Sequence, residues 1–251
     1  MEKERLLQYM KTCGIELDER RAEQFLLYND LLLEWNSFMN LTAITEPEEV
    51  LQKHFADSLL PALLPECKAT EAIRSGASVS LIDIGTGAGF PGIPLKIAFP
   101  QLQVTLLDSL NKRVNFLNEV ITRLGLTGIT AVHGRAEDFA KAGQLRETFD
   151  YAVSRAVANM STLSEYCLPY VKCGGCFVAY KASGFTNAEK DSSEYESAAK
   201  AIRLLGGTAD QVLDYSLPES GDPRCLAIIK KTAPTPKKYP RKAGLPAKEP
   251  L

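Results

Sequence analysis

The sequence predicts an α/β fold: a seven-stranded, mostly parallel sheet that ends in an antiparallel hairpin and follows a helical extension. Three observations carry this expectation. Apolar residues recur near the helical period up to about residue 66. From residue 79 short apolar runs alternate with amphipathic stretches, and β-α-β-α alternation builds a parallel sheet covered on both faces. The last two runs are separated only by 218–223, too short for a crossover helix, so they must pair antiparallel. The expected division is a helical extension over 1–68, the sheet domain over 69–231 and a basic, proline-rich tail over 232–251.

The elements follow in order. Phe25, Leu26, Leu31, Leu32, Trp35, Phe38 and Met39 mark one long helix. Pro47 suits the first turn of a helix over 46–52, and Asp57 to Leu60 belong to the next. The strand runs are 79–84, 102–107, 129–133, 149–153, 176–180, 211–216 and 225–229, with helices at about 90–99, 110–124 and 159–168. His133 falls in a strand and is expected to be buried and inert. Cys173-Gly174-Gly175-Cys176 reads as a turn into the strand at 177–180, because no second ligand pair or helix start supports a zinc or redox reading.

Composition narrows the class. With 45% hydrophobic and 24% charged residues, a chain of 251 residues buries a sizeable core. No apolar run approaches the ~18 residues of a membrane span, and the first residues lack the apolar stretch of a signal peptide. A cytoplasmic protein with reduced thiols and no metal is therefore expected. The net charge of −2 hides an asymmetry: 1–54 hold six Lys/Arg against eleven Asp/Glu, and 230–251 hold seven Lys/Arg against one Glu. Such a tail, with five prolines, is expected to run extended and follow a polyanion through Lys237, Lys238, Arg241 and Lys242.

The strongest motif is Asp83-Ile-Gly85-Thr-Gly87-Ala-Gly89-Phe90-Pro91-Gly92 at the end of the first strand. Its glycines permit a tight turn whose backbone touches a ligand. The spacing is Gly-x-Gly-x-Gly, with Phe90 where a dinucleotide fingerprint places its last glycine, which argues against a pyrophosphate. A neutral or cationic ligand calls for a carboxylate, and Asp83 supplies it. Asp108 ends the second strand, where a carboxylate can accept both ribose hydroxyls; alone it does not separate S-adenosylmethionine from NAD. After the third strand, Ala136 and Glu137 are placed to read an adenine edge, while Asp138 suits a helix cap equally well.

The fourth strand ends in Ser154-Arg155-Ala156-Val157. It carries neither the Asn/Asp-Pro-Pro-aromatic motif that holds an exocyclic amine nor a cysteine nucleophile. For a methyl donor this points to an acceptor that is already nucleophilic, such as guanine N7, with catalysis by alignment and desolvation. An oxidoreductase, a catalytically silent RNA-binding module and a small-molecule methyltransferase remain the alternatives.

The chain resembles the GidB family of bacterial small-subunit rRNA (guanine-N7) methyltransferases. The likeness rests on Trp35-Asn36, Asn40-Leu41-Thr42, His54 with Asp57-Ser58, the glycine loop, Asp108-Ser109 with Lys112-Arg113, Arg135-Ala136-Glu137, Ser154 to Val157, and Lys237 to Pro246. It implies a Rossmann-like class I fold, S-adenosyl-L-methionine as cofactor and methylation of a guanine in the 530 loop of 16S rRNA. Gly85, Phe90, Ala136, Glu137 and Arg155 would contact the cofactor, beside Asp83, Gly87, Gly89 and Asp108. Asn40, His54 and Arg155 would be catalytic, shaping the mouth of the cleft. The expected partner is 16S rRNA or a small-subunit particle, and the expected state a monomer. Loss of 236–251 is expected to spare cofactor binding, since every cofactor motif lies between 83 and 155.

Overall fold

The computed structural model describes residues 1–141, 143–182 and 194–251. Helix α1 (Lys3–Thr12) precedes α2 (Glu19–Met39), which Asp18 caps by accepting the Arg21 N–H at 2.8 Å. Helix α2 stops at Asn40, whose left-handed φ of 52° is one that asparagine tolerates. Helix α3 (Pro47–Glu49) runs straight into a π-helical segment, Val50–Ala56, and then α4 (Asp57–Leu63). The two separate helices expected here are one continuous element, joined through wider turns. Short α5 (Glu71–Arg74) leads into the sheet.

The sheet then alternates as the sequence predicts: β1 (Ser80–Ile84), α6 (Gly92–Ala98), β2 (Gln103–Asp108), α7 (Asn111–Arg123), β3 (Ile129–His133), α8 (Ala136–Phe139), β4 (Phe149–Arg155), α9 (Met160–Cys167) and β5 (Val171–Ala182). Helix α10 (Glu194–Leu204), which the sequence reading did not place, precedes the hairpin of β6 (Gly207–Ser216) and β7 (Pro223–Lys231); α11 (Leu245–Lys248) lies in the tail. The strand order is β3-β2-β1-β4-β5-β7-β6. All pairs from β3 to β5 are parallel, and β7 is antiparallel to both its neighbours. The order reverses between β1 and β4, and open α/β sheets bind ligands beyond the carboxyl ends of their strands at such a point.

The Cys173–Cys176 segment is not a turn between elements. It lies inside β5, where the register against β4 slips between Phe149 and Tyr151 and Gly174 takes a φ of 92°. Two bulge glycines absorb the extra residues without ending the strand. His133 is exposed, because β3 is an edge strand.

Two apolar clusters flank the sheet. One joins α1, α2 and α4 to β1, β2 and α7 through Tyr9, Phe25, Phe55, Leu81 and Phe116. The other joins Ile84, Leu107 and Tyr170 to α9, α10 and the tail residue Tyr239.

Candidate active site

A cavity of about 310 Å³ opens at the β1/β4 reversal, lined among others by Ile84, Gly85, Leu107, Ala136, Glu137 and Val157. This size suits a small-molecule site, and the apolar lining suits a flat heterocycle. Gly85 has a φ of 70°, and a Cβ there would stand 2.7 Å from Val157 Cγ2. Beneath the loop, Asp83 is fully buried; its Oδ2 accepts Thr86 Oγ1 at 2.6 Å and the Gly92 N–H at 2.9 Å. Its Oδ1 is buried without a partner. Burial pushes the Asp83 carboxyl up to about 6. Asp108 is likewise buried, and holds the loop by accepting the Gly87 N–H at 2.9 Å and the Leu110 N–H at 2.9 Å.

Beside this cavity lies a network that spans three regions of the chain. The Asp57 carboxylate accepts Arg155 at 2.8 Å, Arg224 at 3.1 Å and the Tyr215 hydroxyl at 3.2 Å. The Arg155 guanidinium also lies 5.1 Å from the Phe90 ring centroid and 3.3 Å from His54 Nδ1. His54 stacks on Phe90, centroids 4.4 Å apart and planes 14° from parallel. Arginine only donates, so Nδ1 is the acceptor and Nε2–H donates to Thr42 Oγ1 at 2.8 Å.

Burial and the Arg155 charge push His54 down to about 3, so it is neutral at physiological pH. Its folded pKa lies below its ordinary value of 6.5; the stability it contributes is full above pH 6.5 and is lost as pH falls toward 3. Asp83, raised, acts in reverse: its contribution is full below its ordinary 3.8 and lost as pH rises through about 6. The two slopes therefore oppose one another between about pH 4 and 6. The stability gap between wild type and His54→Gln should shrink by about 1.4 kcal/mol per pH unit below pH 6.5. Urea melts across pH measure this, and a pH-independent gap would refute the buried neutral imidazole.

The tail does not run free. Arg241 Nη2 donates to the fully buried Glu165 at 2.6 Å, and its backbone N–H donates to the same carboxylate at 2.7 Å. Arg146 donates to the carbonyls of Tyr239 at 2.8 Å and Thr235 at 2.5 Å. Gly244 N–H donates to Glu137 Oε1 at 2.7 Å, and Ala247 completes the cavity wall. Lys231 is buried against Glu147, Leu168 O and Thr235.

The family model described as rRNA small subunit methyltransferase G matches residues 21–214. The chain belongs to this family. Curated family members include proteins from Lachnoclostridium phytofermentans, 53% identical over 98% of this chain and 96% of the relative, and from Lactococcus lactis subsp. cremoris, 46% identical over 100% of both. Among solved structures, a candidate O-methyltransferase from Klebsiella pneumoniae has a TM-score of 0.55 at 16% identity, covering 91% of this chain and 97% of its own. Likeness at that identity shows the shared fold and nothing finer.

In this family member the sequence-predicted residues separate into groups. Gly85, Ala136 and Glu137 line the cavity, with Asp83, Gly87, Gly89 and Asp108 building the loop beneath or beside it. Phe90, His54 and Arg155 meet in one stack. Asn40 is exposed and closes α2, the helix-ending role; the neighbouring Thr42 is the residue that touches His54. Lys237, Lys238 and Lys242 are exposed, whereas Arg241 is committed to Glu165. The extended tail expected from its prolines is instead a folded strap, because buried Glu137 and Glu165 supply acceptors for it. Sequence reasoning passed over Arg224, Tyr215, Arg146 and Glu165. Only Glu165 carried a signal, an acid in an otherwise apolar and hydroxyl-bearing helix.

Proposed function

We propose that the chain transfers the methyl group of S-adenosyl-L-methionine to N7 of a guanine in the 530 loop of 16S rRNA. The observation that carries this reading is the pairing of a nucleoside-sized cavity at the β1/β4 reversal with a mouth in which His54, Asp57 and Arg155 are engaged with one another and with their neighbours. His54 is neutral and holds a hydrogen-bond partner on each nitrogen, and Asp57 is occupied by two arginines and a tyrosine. Such a mouth orients; it does not take up a proton. Guanine N7 offers a lone pair with no proton to remove, so orientation and exclusion of water suffice.

The cofactor would supply an electrophilic methyl group. Ile84, Leu107 and Ala136 would cover its base, Ser109 in the lining and Asp108 just before it would face its ribose, and the unpartnered Oδ1 of Asp83 leaves an acceptor under the glycine loop. Phe90, with the His54 ring stacked on it and the Arg155 guanidinium beside both, would close the mouth. In this reading 1–68 carry the substrate-facing helices, 69–231 the cofactor domain and 232–251 a strap whose Lys237, Lys238 and Lys242 meet phosphates. A cytoplasmic monomer is part of the same proposal.

The test is methyl transfer from labelled cofactor to small-subunit particles, followed by mapping of the modified nucleotide. A label anywhere other than a guanine N7 of the 530 loop would sink it. Gly85→Val serves as the control: its side chain meets Val157, so a folded variant should neither bind cofactor nor transfer methyl. Unchanged cofactor affinity in that variant would move the binding site elsewhere.

A further inference from the structure

We propose that Phe38, braced by Trp35, is a stacking platform for an unpaired RNA base beside the one that is methylated. The proposal rests on the rRNA reading above and names a contact for it. Helices α2 and α7 run antiparallel: Gln24 Nε2 donates to Leu124 O at the end of α7, while Trp35 meets Phe116 nearer its start. The last turn of α2 therefore rises to the carboxyl edge of the sheet, where the cavity opens. There Phe38 is 65% exposed, with its ring centroid 5.5 Å from Trp35, and Trp35 lies 5.5 Å from Phe116. This ladder fixes an aromatic face toward solvent.

Its neighbours on that edge share the character. Of the four large, exposed apolar side chains among the described residues, three stand there: Phe38, Leu110 and Val157. Val157 lines the cavity, and Leu110 follows the lining residue Ser109. Exposed Arg135 lines the cavity and exposed Lys112 opens α7 just after the lining residue Ser109, whereas exposed Glu34 sits one turn behind Phe38 on α2. Phosphates are thus drawn toward Lys112 and Arg135, and a neutral base face is what fits at Phe38. A base extruded toward a methyl donor leaves its neighbours unstacked. Aromatic side chains receive such bases with little regard to sequence, since every base has a π face.

The chain has a single tryptophan, so Trp35 emission reports on this spot alone. The full-length protein is titrated with a protein-free RNA oligonucleotide of the 530-loop sequence and with small-subunit particles. RNA should quench Trp35 emission with the midpoint seen by anisotropy. Phe38→Ala should weaken RNA binding roughly 5- to 150-fold and raise KM for RNA with kcat retained, while cofactor affinity stays unchanged. Phe38→Tyr should restore binding. Unaltered RNA affinity in Phe38→Ala overturns the platform and leaves the rRNA reading standing. An effect confined to particles, absent with protein-free RNA, overturns it in favour of a ribosomal-protein contact. A wild-type protein that methylates no rRNA takes both readings down.

Discussion

Arg155→Ala should cost the protein its cofactor affinity and many degrees of melting temperature together. The Asp57 side chain is only 6% exposed, and Arg155 is its shortest ion-pair partner. Removing one partner of a buried pair costs about 3–5 kcal/mol, and the lower end applies because Arg224 and Tyr215 still donate. For a chain of this size that lower end is roughly 6–12 °C in melting temperature. The same change strips His54 Nδ1 of its donor and Phe90 of the cation over its ring. The His54–Phe90 stack then loses its support on the Arg155 side of the mouth, so binding falls with stability. Calorimetry beside a thermal melt separates the readings. A lower melting temperature with intact cofactor affinity would make Arg155 a purely structural residue. Arg155→Lys, which keeps the charge but loses the planar fork, should fall between the two.

Removing 236–251 should be as damaging, contrary to what motif positions alone suggest. Glu165 has no exposed surface, and among the described residues Arg241 is the only cation bridged to it. Without the tail a carboxylate is left unpaired in an apolar surround, again about 3–5 kcal/mol. Glu137 loses the Gly244 N–H, and the cavity loses its Ala247 wall. The truncated protein should therefore melt lower and bind S-adenosylmethionine far more weakly. Adding Glu165→Gln to the truncation should recover part of the stability, since a neutral amide replaces the stranded charge, without recovering affinity. A truncated protein with wild-type cofactor affinity would show that the strap is only a brace.

Seven strands and their antiparallel ending were legible because strand length, spacing and the short 218–223 connection obey local rules. The glycine loop was legible for the same reason: Gly85 needs both a positive φ and the room beside Val157. What escaped depends on contacts across long sequence separations. Asp57 and Arg224 meet over 167 positions, and Glu165 and Arg241 over 76, with no local pattern to announce either pair. Asn40 shows the opposite limit. The resemblance singled it out as catalytic, yet its left-handed backbone is what the structure uses, while Asn36 Oδ1 accepts the Thr42 N–H.

The two apolar clusters on either side of the sheet have a consequence for hydrogen exchange. Phe90, on which His54 stacks, and Tyr28 and Phe55, which pack on Phe90, belong to the first cluster. Ile84, Leu107, Ala136, Ala158 and Tyr166, which wall the cavity, belong to or pack on the second. Cooperative units of opening follow such clusters. Amides of α2 and α4 should thus exchange as one group, and those of α9 and the strap as another, with different sensitivity to denaturant. A partial opening of the first group would carry away Phe38, Thr42 and His54 while leaving the cavity walls in place. In mild denaturant the protein should pass through a range where the cofactor's nucleoside end is still held but the mouth that aligns the acceptor is already gone.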